Sequence, residues 1–525
     1  VAARLAYSRR VRLGIDLGTT RTVVARVDRG RHPIVSFDTG GGSAEWIPGA
    51  CAELADGARV HGWEAIAAHD APALIRSVKR TVSGLAADAV VTSLPSRPTA
   101  STLLAEHVQH VIERARRALG LGAGDAISAM IAVPANATSR QRWLTLEAFR
   151  RAGVEVLGLV NEPTAAGIEY AHRHLGLENK RSPKRYLVIY DLGGGTFDTS
   201  AISLKGRLFE LLATEGLPRL GGDDLDEAIL AVALERSGID PSTLEPTPLA
   251  RLADAARAAK EALGPHSKNA MIDLAMALPD ADAIVVPAAD VLRACEPLVD
   301  RTLALVDRLL ASLPAHGIDP EDARQLGAVY VVGGGAAFVG VLKALRARLG
   351  RKVELAPVPH AATAIGLAVA ADPDAGIFVK EAVTRHFGVW REAQGGREKI
   401  FDPIFDKGAM EVPVDDEAGA GGPIIAERRY RPRHTVGHLR FLECARRDDD
   451  GGPAGEITPW REIHFAYDPT LRDEPALAEH ARADATLARE EIRELYRYAP
   501  DGSISVRIDN LTSGYGRTFE LGRID

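Results

Sequence analysis

The sequence predicts an α/β chain with a duplicated strand–turn–strand unit, followed by a separate, mostly β region. Three observations carry that reading. Short β-branched runs such as "VRLGIDL", "AMIAVPA", "RYLVIYDL" and "AVYVVGGG" alternate with helical patterns at residues 101–119 and 142–152, the alternation from which α/β folds are built. The stretches "VRLGIDLGTTRTVVARV" (11–27) and "RYLVIYDLGGGTFDTSAIS" (185–203) share one plan of apolar strand, Asp, apolar residue, Gly, small residues and second strand. Beyond about residue 372, Gly, Pro and Asp clusters separate short alternating segments such as "SISVRIDNL" (503–511), as in an all-β domain.

Composition sets the limits. A chain of 525 residues, 46% hydrophobic, is too long for one core and predicts about two to four domains. A net charge of −7 and a pI near 6.1 exclude a basic footprint of the kind that binds nucleic acid. Cys51, Cys295 and Cys444 lie far apart without CxxC spacing, against a zinc site or a disulfide framework and in keeping with a reducing cytoplasm. No apolar run approaches the roughly 18 residues of a membrane span, and the start "VAARLAYSRR" lacks a signal-peptide core, so neither export nor membrane insertion is expected.

The first strand ends on a carboxylate, Asp16, followed by Gly18, Thr19 and Thr20. A glycine and small hydroxyl residues after a strand let backbone N–H groups and Thr hydroxyls close around a phosphate, which a bulky side chain would prevent. Asp16 would repel that phosphate unless a cation lay between them, and Mg²⁺ binds through one or two carboxylates plus waters and phosphate oxygens. The twin turn offers Asp191, Gly193, Gly194, Gly195, Thr196 and Asp198. A single "DLGGG" reads equally well as a tight β-turn; paired copies on matched strands point to two facing hairpins that clamp one metal-bound phosphate chain.

Five segments in order resemble the Hsp70 family of chaperones, within the actin-like ATPase superfamily. "GIDLGTTRT" (14–22) resembles its first phosphate loop and "SVKRTVSG" (77–84) the segment holding its catalytic lysine. "VPANATSRQR" with "VNEPTAAGIEYA" resembles the connecting region, "YDLGGGTFDTS" the second phosphate loop, and "VVGGGAAFVGVLKALRARLG" the adenosine segment. "LGGDDLD" (220–226) is a weaker sixth match. The resemblance implies a two-lobed, actin-like ATPase domain of duplicated ribonuclease H-like units over about 8–372, a linker over 373–385, and a β substrate-binding-like domain over 386–525. It implies ATP or ADP with Mg²⁺ as ligands, metal contacts from Asp16, Asp191 and Asp198, and nucleotide contacts from Gly18, Thr19, Thr20, Gly193, Gly194, Gly195, Lys260, Gly333, Gly334 and Gly335. Lys79 would position the attacking water beside the γ-phosphate, Glu162 and Asp191 would orient that water or take its proton, and Thr196 would contact the γ-phosphate. Phosphoryl transfer needs alignment and charge neutralisation, which this set supplies. Outside that context Lys79 reads as a solvated helix residue beside Arg80, and Glu162 as a helix-start acid matching the macrodipole.

The adenosine side departs from the family. "ARAAKEALG" (256–264) keeps Lys260 but has Arg257 where a Glu is usual and Gly264 where a Ser is. Ala337 stands where the family stacks an arginine on adenine, and "VPHAA" places His360 where an Asp is usual. Arg257 is the expected substitute for the lost stacking, since a guanidinium can lie on an aromatic face. Losing one stacking partner costs roughly 1–3 kcal/mol, about tenfold to a hundredfold in affinity, so weakened nucleotide binding is expected.

Pro134 and Arg142 match positions by which the family relays nucleotide state, and "IFVKE" (377–381), ending on Glu381, matches its hydrophobic-then-acidic linker or else an ordinary edge strand. Leu157 and Gly158 replace a basic pair that often engages J-domain cochaperones, so regulation by J-domain or nucleotide-exchange cochaperones stays open. In the C-terminal region "FGVW", "IFDKGAMEVPV", "HLRFLECA" and "DGSISVRI" read as sandwich strands able to take an extended client peptide by strand addition. Residues 474–490 read as an Ala-rich helix or a polar insertion, and the sequence ends soon after "RTFELG", so no helical lid and fast peptide release are expected. Two other classes remain: a small-molecule kinase of the same superfamily, which the β region disfavours, and a nucleotide-sensing scaffold with little turnover, which Arg257, Ala337 and His360 permit and the complete phosphate set opposes.

Overall fold

The computed structural model describes residues 10–521 except 69, 123, 136, 175–183, 206–207, 218, 245, 279–280, 377, 380–382, 384, 394–397, 408–422 and 500–502. The chain is α/β through its first part and all-β after it. Strand Arg10–Leu17 pairs antiparallel with Arg21–Arg26 and parallel with Ala126–Val133, which pairs parallel with Val154–Asn161. Ile47–Pro48 completes this five-stranded sheet. Tyr186–Leu192 repeats the plan: antiparallel with Phe197–Lys205, parallel with Leu326–Val332, and through it with Val353–Leu355. The duplication seen in the sequence is therefore a duplication of sheet order.

Leu208–Leu217 extends the second sheet, and Phe378–Val379 adds a short parallel edge strand opposite Leu208 and Phe209. Of the "IFVKE" stretch only these two residues are described; Glu381 lies outside the described residues. Parallel neighbours need a crossover, usually helical. Ala100–Ala118 serves the first sheet, burying Leu104, Val108, Val111 and Ala115 at helical spacing after a Thr99 cap. Ala288–Ser312 packs on the second sheet, burying Val291, Cys295, Val299, Val306 and Leu309. The helix expected at 142–152 starts earlier, at Ser139, because Thr138 and Gln141 form a reciprocal capping box.

Two helices join the lobes. Glu162–His174 and Ala362–Ala371 cross where Gly366 meets Ala165; a Cβ on Gly366 would sit 1.8 Å from the Ala165 carbonyl oxygen. The same helix lies on the first strand so closely that a Cβ on Gly14 would be 2.2 Å from the Ala368 nitrogen.

The C-terminal region is a sandwich of two four-stranded antiparallel sheets. One holds Glu398–Phe405, His386–Ala393, Val436–Arg447 and Pro453–Ala466; the other holds Ile424–Tyr430, Ile492–Tyr498, Ile504–Asn510 and Tyr515–Leu521. Phe387, Phe405, Phe441, Phe465 and Tyr496 fill the space between them. A buried ionic network ties the sheets: Arg391 donates to Glu494 at 2.6 Å and to Asp402 at 2.5 Å, while Tyr430 and Tyr496 donate to Glu494 at 2.5 and 2.7 Å. Each lone pair used removes part of the cost of burying that carboxylate. Of the two readings of 474–490, the insertion is observed: it forms short 3₁₀ turns at Leu477–His480 and Ala485–Arg489, and Asp484 donates its backbone N–H to Arg433. Strand "IFDKGAMEVPV" ends at Phe405, and 408–414 lie outside the described residues.

The helix crossing yields a test. Gly366→Ala is expected to cost about 1–3 kcal/mol through overpacking, while Gly41→Ala, which meets open space, stays within about 0.5 kcal/mol. Equal unfolding midpoints in urea for the two variants would contradict the crossing.

Candidate functional site

The twin hairpins face each other across one cleft. Thr20 of the first turn and Gly194 of the second are in contact: a Cβ on Gly194 would lie 1.8 Å from the Thr20 hydroxyl. Around this contact opens a cavity of about 500 Å³ lined by Asp16, Gly18, Thr19, Thr20, Lys79, Glu162, Asp191, Gly193, Gly194, Thr196 and Asp198. Arg257, Lys260, Gly333, Gly334, Gly335 and His360 line its other end. Of the candidate residues named from the sequence, Gly195 does not line it. Its carbonyl accepts from Arg80 at 2.6 Å, and a Cβ there would strike the Arg80 guanidinium. Ala337 sits exposed in a 3₁₀ turn, Gly335–Ala337.

Each charged group is placed by a short local device. Asp16 and Asp191 end their strands opposite Val23 and Asp198. Lys79 rides on the one-turn helix Val78–Val82, which Ser77 caps while donating its hydroxyl to the Thr19 carbonyl at 2.5 Å. That bond ties the lysine segment to the first turn. Glu162 opens helix Glu162–His174 and accepts from Lys79 Nζ at 2.8 Å. Glu162 is thus the helix-start acid that the sequence allowed, and it also holds the Lys79 ammonium.

Negative charge dominates here. Burial, then Glu162 and, against them, Lys79 act on Asp16, with Asp191 adding repulsion; its carboxyl is pushed up to about 8. Burial, Glu162 and Asp198 push Asp191 up to about 8, and burial with Glu162 pushes Asp198 up to about 7. Burial opposes the charge on Lys79, but Glu162 and Asp16 outweigh it and raise the ammonium above its ordinary value. Among the described residues no three His, Cys, Asp or Glu side chains converge closely enough to hold a metal alone. The donor set nonetheless suits Mg²⁺: acidic groups spaced around an open cavity, short of cationic partners, match an ion that keeps its waters and takes phosphate oxygens.

The second turn is braced from behind. Gly222 and Asp223 donate backbone N–H groups to the Gly193 and Gly194 carbonyls at 2.9 and 2.7 Å, at the start of helix Gly222–Ser237. Lys260 donates to the Gly222 carbonyl at 2.8 Å and pairs with Asp226 at 2.6 Å. Arg257 lines the cavity with its guanidinium held by Asp226 at 3.0 Å and Asp223 at 2.8 Å, partners that the sequence reading did not foresee. An arginine in the place of a glutamate sits within a cluster of acids, and its charge is drawn to them.

Three arginines not named as site residues span the lobes. Arg21 donates to Glu261 at 2.8 Å, Arg76 makes a two-pronged pair with Asp254 at 2.8 and 3.0 Å, and Arg80 reaches Gly195. The signal was present in "GTTRT" and "IRSVKR": cations directly beside phosphate-loop residues. Arg142 is buried and donates to Asn161, the residue before Glu162, while Pro134 lines the cleft. A β-bulge at Val156–Gly158 leaves Leu157 exposed and sets Gly158 against Met130.

Two like sheets, each presenting a carboxylate strand and a glycine–hydroxyl turn to a shared cleft, define a two-lobed protein of actin-like plan. The chain belongs to the Hsp70 family: the family model described as Hsp70 protein matches residues 86–384. It is 33% identical over 389 residues to the chaperone protein HscA homolog of Burkholderia thailandensis, 70% of this chain and 59% of that protein. The HscA homolog of Azotobacter vinelandii is 35% identical over 397 residues, with the same shares. The match thus spans 59% of the length of these relatives.

The crowded acids predict a pH signature. Asp16 and Asp191, ordinarily near 3.8, hold their protons up to about 8 in the folded cleft, so folding takes up protons and their contribution to stability is lost as pH rises through that window. The metal-free protein is expected to lose melting temperature between about pH 5 and pH 8, and Asp16→Asn to lose less. Identical slopes for the two proteins would remove the electrostatic account.

Proposed function

We propose that this chain is an Mg²⁺-dependent ATP hydrolase whose nucleotide state governs how its C-terminal sandwich holds extended peptide segments of unfolded clients. The observation that carries the reading is the shared cleft: Asp16, Asp191, Asp198, Glu162 and Lys79 line one cavity where Thr20 meets Gly194. Magnesium, held by one or two of Asp16, Asp191 and Asp198 with water between, would offset phosphate charge. Gly18, Thr19, Thr20, Gly193 and Gly194 offer the phosphates backbone and hydroxyl groups. Lys79 neutralises charge on the transferring oxygens. Glu162 orients it through their 2.8 Å pair and, with Asp191, aligns the attacking water and takes its proton; Thr196 bonds the terminal phosphate.

The HscA relatives bear the name chaperone, which supports peptide clients over a phosphorylated metabolite. We divide the chain into an ATPase unit of about 8–372, a connection over 373–385 and a peptide-holding unit from 386, a division supported by separate cores. Among the described residues no helix is long and apolar enough to cross a membrane, and Cys51, Cys295 and Cys444 are buried and unpaired; a cytoplasmic setting accords with both. The exposed Leu157 and small Gly158 offer no cationic pair to a J-domain.

A scaffold with little turnover is the second reading, favoured by the commitment of Arg257 to Asp223 and Asp226. ATP hydrolysis separates them. Lys79→Ala is expected to lower kcat at least about 10²-fold, and chelation of Mg²⁺ to abolish turnover. Equal rates with and without the mutation would leave the scaffold.

A further inference from the structure

The nucleoside end of the cleft contains a cation that phosphate chemistry does not use. Lys260 pairs with Asp226 and the Gly222 carbonyl, Arg257 is held by two carboxylates, Asp226 and Asp223, and Ala337 carries only a methyl group. Arg21 is different. It follows Thr20 directly, yet its side chain runs across the cleft, where Nη2 donates to Glu261 Oε1 at 2.8 Å. Its guanidinium carbon lies 4.5 Å from the centre of the Trp46 ring. Its Nη1 is 3.7 Å from the point a Cβ on Gly334 would occupy. Arg21, Glu261, Gly334 and His360 line the same cavity as the phosphate turns. A ligand whose phosphates rest on those turns and whose remainder extends toward Gly333–Gly335 must therefore meet this guanidinium.

We propose that Arg21 is the nucleoside-positioning residue of the cleft: backed by Trp46 and aimed by Glu261, its planar cation holds the flat base of a nucleoside di- or triphosphate. The inference rests on the ATP-cleft reading above and adds the residue that replaces the absent stacking partner. The physical basis is specific to arginine. Its plane and weak hydration suit it to lie against a π-face, whereas a lysine brings charge without a plane. The Trp46 contact and the Glu261 bond fix that plane in the free protein, so little ordering is left for binding.

Calorimetric titration of the full chain with ADP, and separately with inorganic tripolyphosphate, both with Mg²⁺, tests this. Arg21→Ala should weaken ADP by about tenfold to a hundredfold and change tripolyphosphate by less than about threefold. Arg21→Lys should recover little of the ADP loss. Should Arg21→Ala fail to fold, Glu261→Gln provides the same comparison, with ADP weakened and tripolyphosphate held. The proposal is overturned if Arg21→Ala binds ADP like the wild type, if both ligands weaken equally, or if lysine restores full affinity. A wild type that binds tripolyphosphate but not ADP overturns the Arg21 assignment alone; one that binds neither overturns the ATP-cleft reading with it.

Discussion

The contact between Thr20 and Gly194 sets the geometry on which the rest of the cleft depends. Two hairpins from two like sheets can touch there because one of them lacks a Cβ; any side chain at 194 would collide with the Thr20 hydroxyl at 1.8 Å. With the turns in contact, the strands behind them bring Asp16 and Asp191 to one cavity, and neither carboxylate can ionise without opposing the other. The fold thus gathers buried acids around a single lysine, a deficit of positive charge at the centre of the cleft. Helix Gly222–Ser237 and Lys260 brace the second turn from outside, so its carbonyls face their backbone donors, while the Gly193 N–H closes the turn onto the Thr196 carbonyl at 2.9 Å.

The lobes are held together by two kinds of contact. At the base, helices Glu162–His174 and Ala362–Ala371 meet through Ala165 and Gly366 at backbone distance, and Ile168 and Tyr170 of the first share one buried cluster with Ala362 and Val369 of the second. At the mouth, Arg76–Asp254 and Arg21–Glu261 span the opening, with Arg76 and Asp254 each more than a third exposed. An exposed ion pair such as Arg76–Asp254 contributes about 0–1 kcal/mol, far less than the close-packed helix crossing at the base.

Much of this was legible in the residues. The alternation of β-branched runs and helices, and above all the repeated Asp–apolar–Gly plan, anticipated two sheets of one order. Asp16, Asp191 and the glycines of the two turns followed from phosphate chemistry, whereas Lys79 and Glu162 were singled out only by the resemblance to Hsp70. The helix beginning at Ser139 was misplaced by about one turn because its start is written in a Thr138–Gln141 box, not in apolar spacing. Residues 474–490 read equally as helix or insertion, because alanine content alone does not reveal that their backbone is claimed by Arg433 and Thr435. The partners of Arg257 were hidden for a related reason: a side chain's reach is visible in sequence, but the two acids that hold it, over 30 residues away, are not. Arg21 sat in plain view, yet only the fold brings Trp46 and Glu261 to it.

The two-residue strand Phe378–Val379 carries one more consequence. It covers the amide and carbonyl groups of Leu208 and Phe209 at the open side of the second sheet. When that strand leaves, a row of unpaired backbone groups is bared, the feature that recruits foreign strands and drives self-association. The stretch of chain between the lobes and the β sandwich thus keeps paired two residues of a sheet edge that would otherwise lie open to a foreign strand.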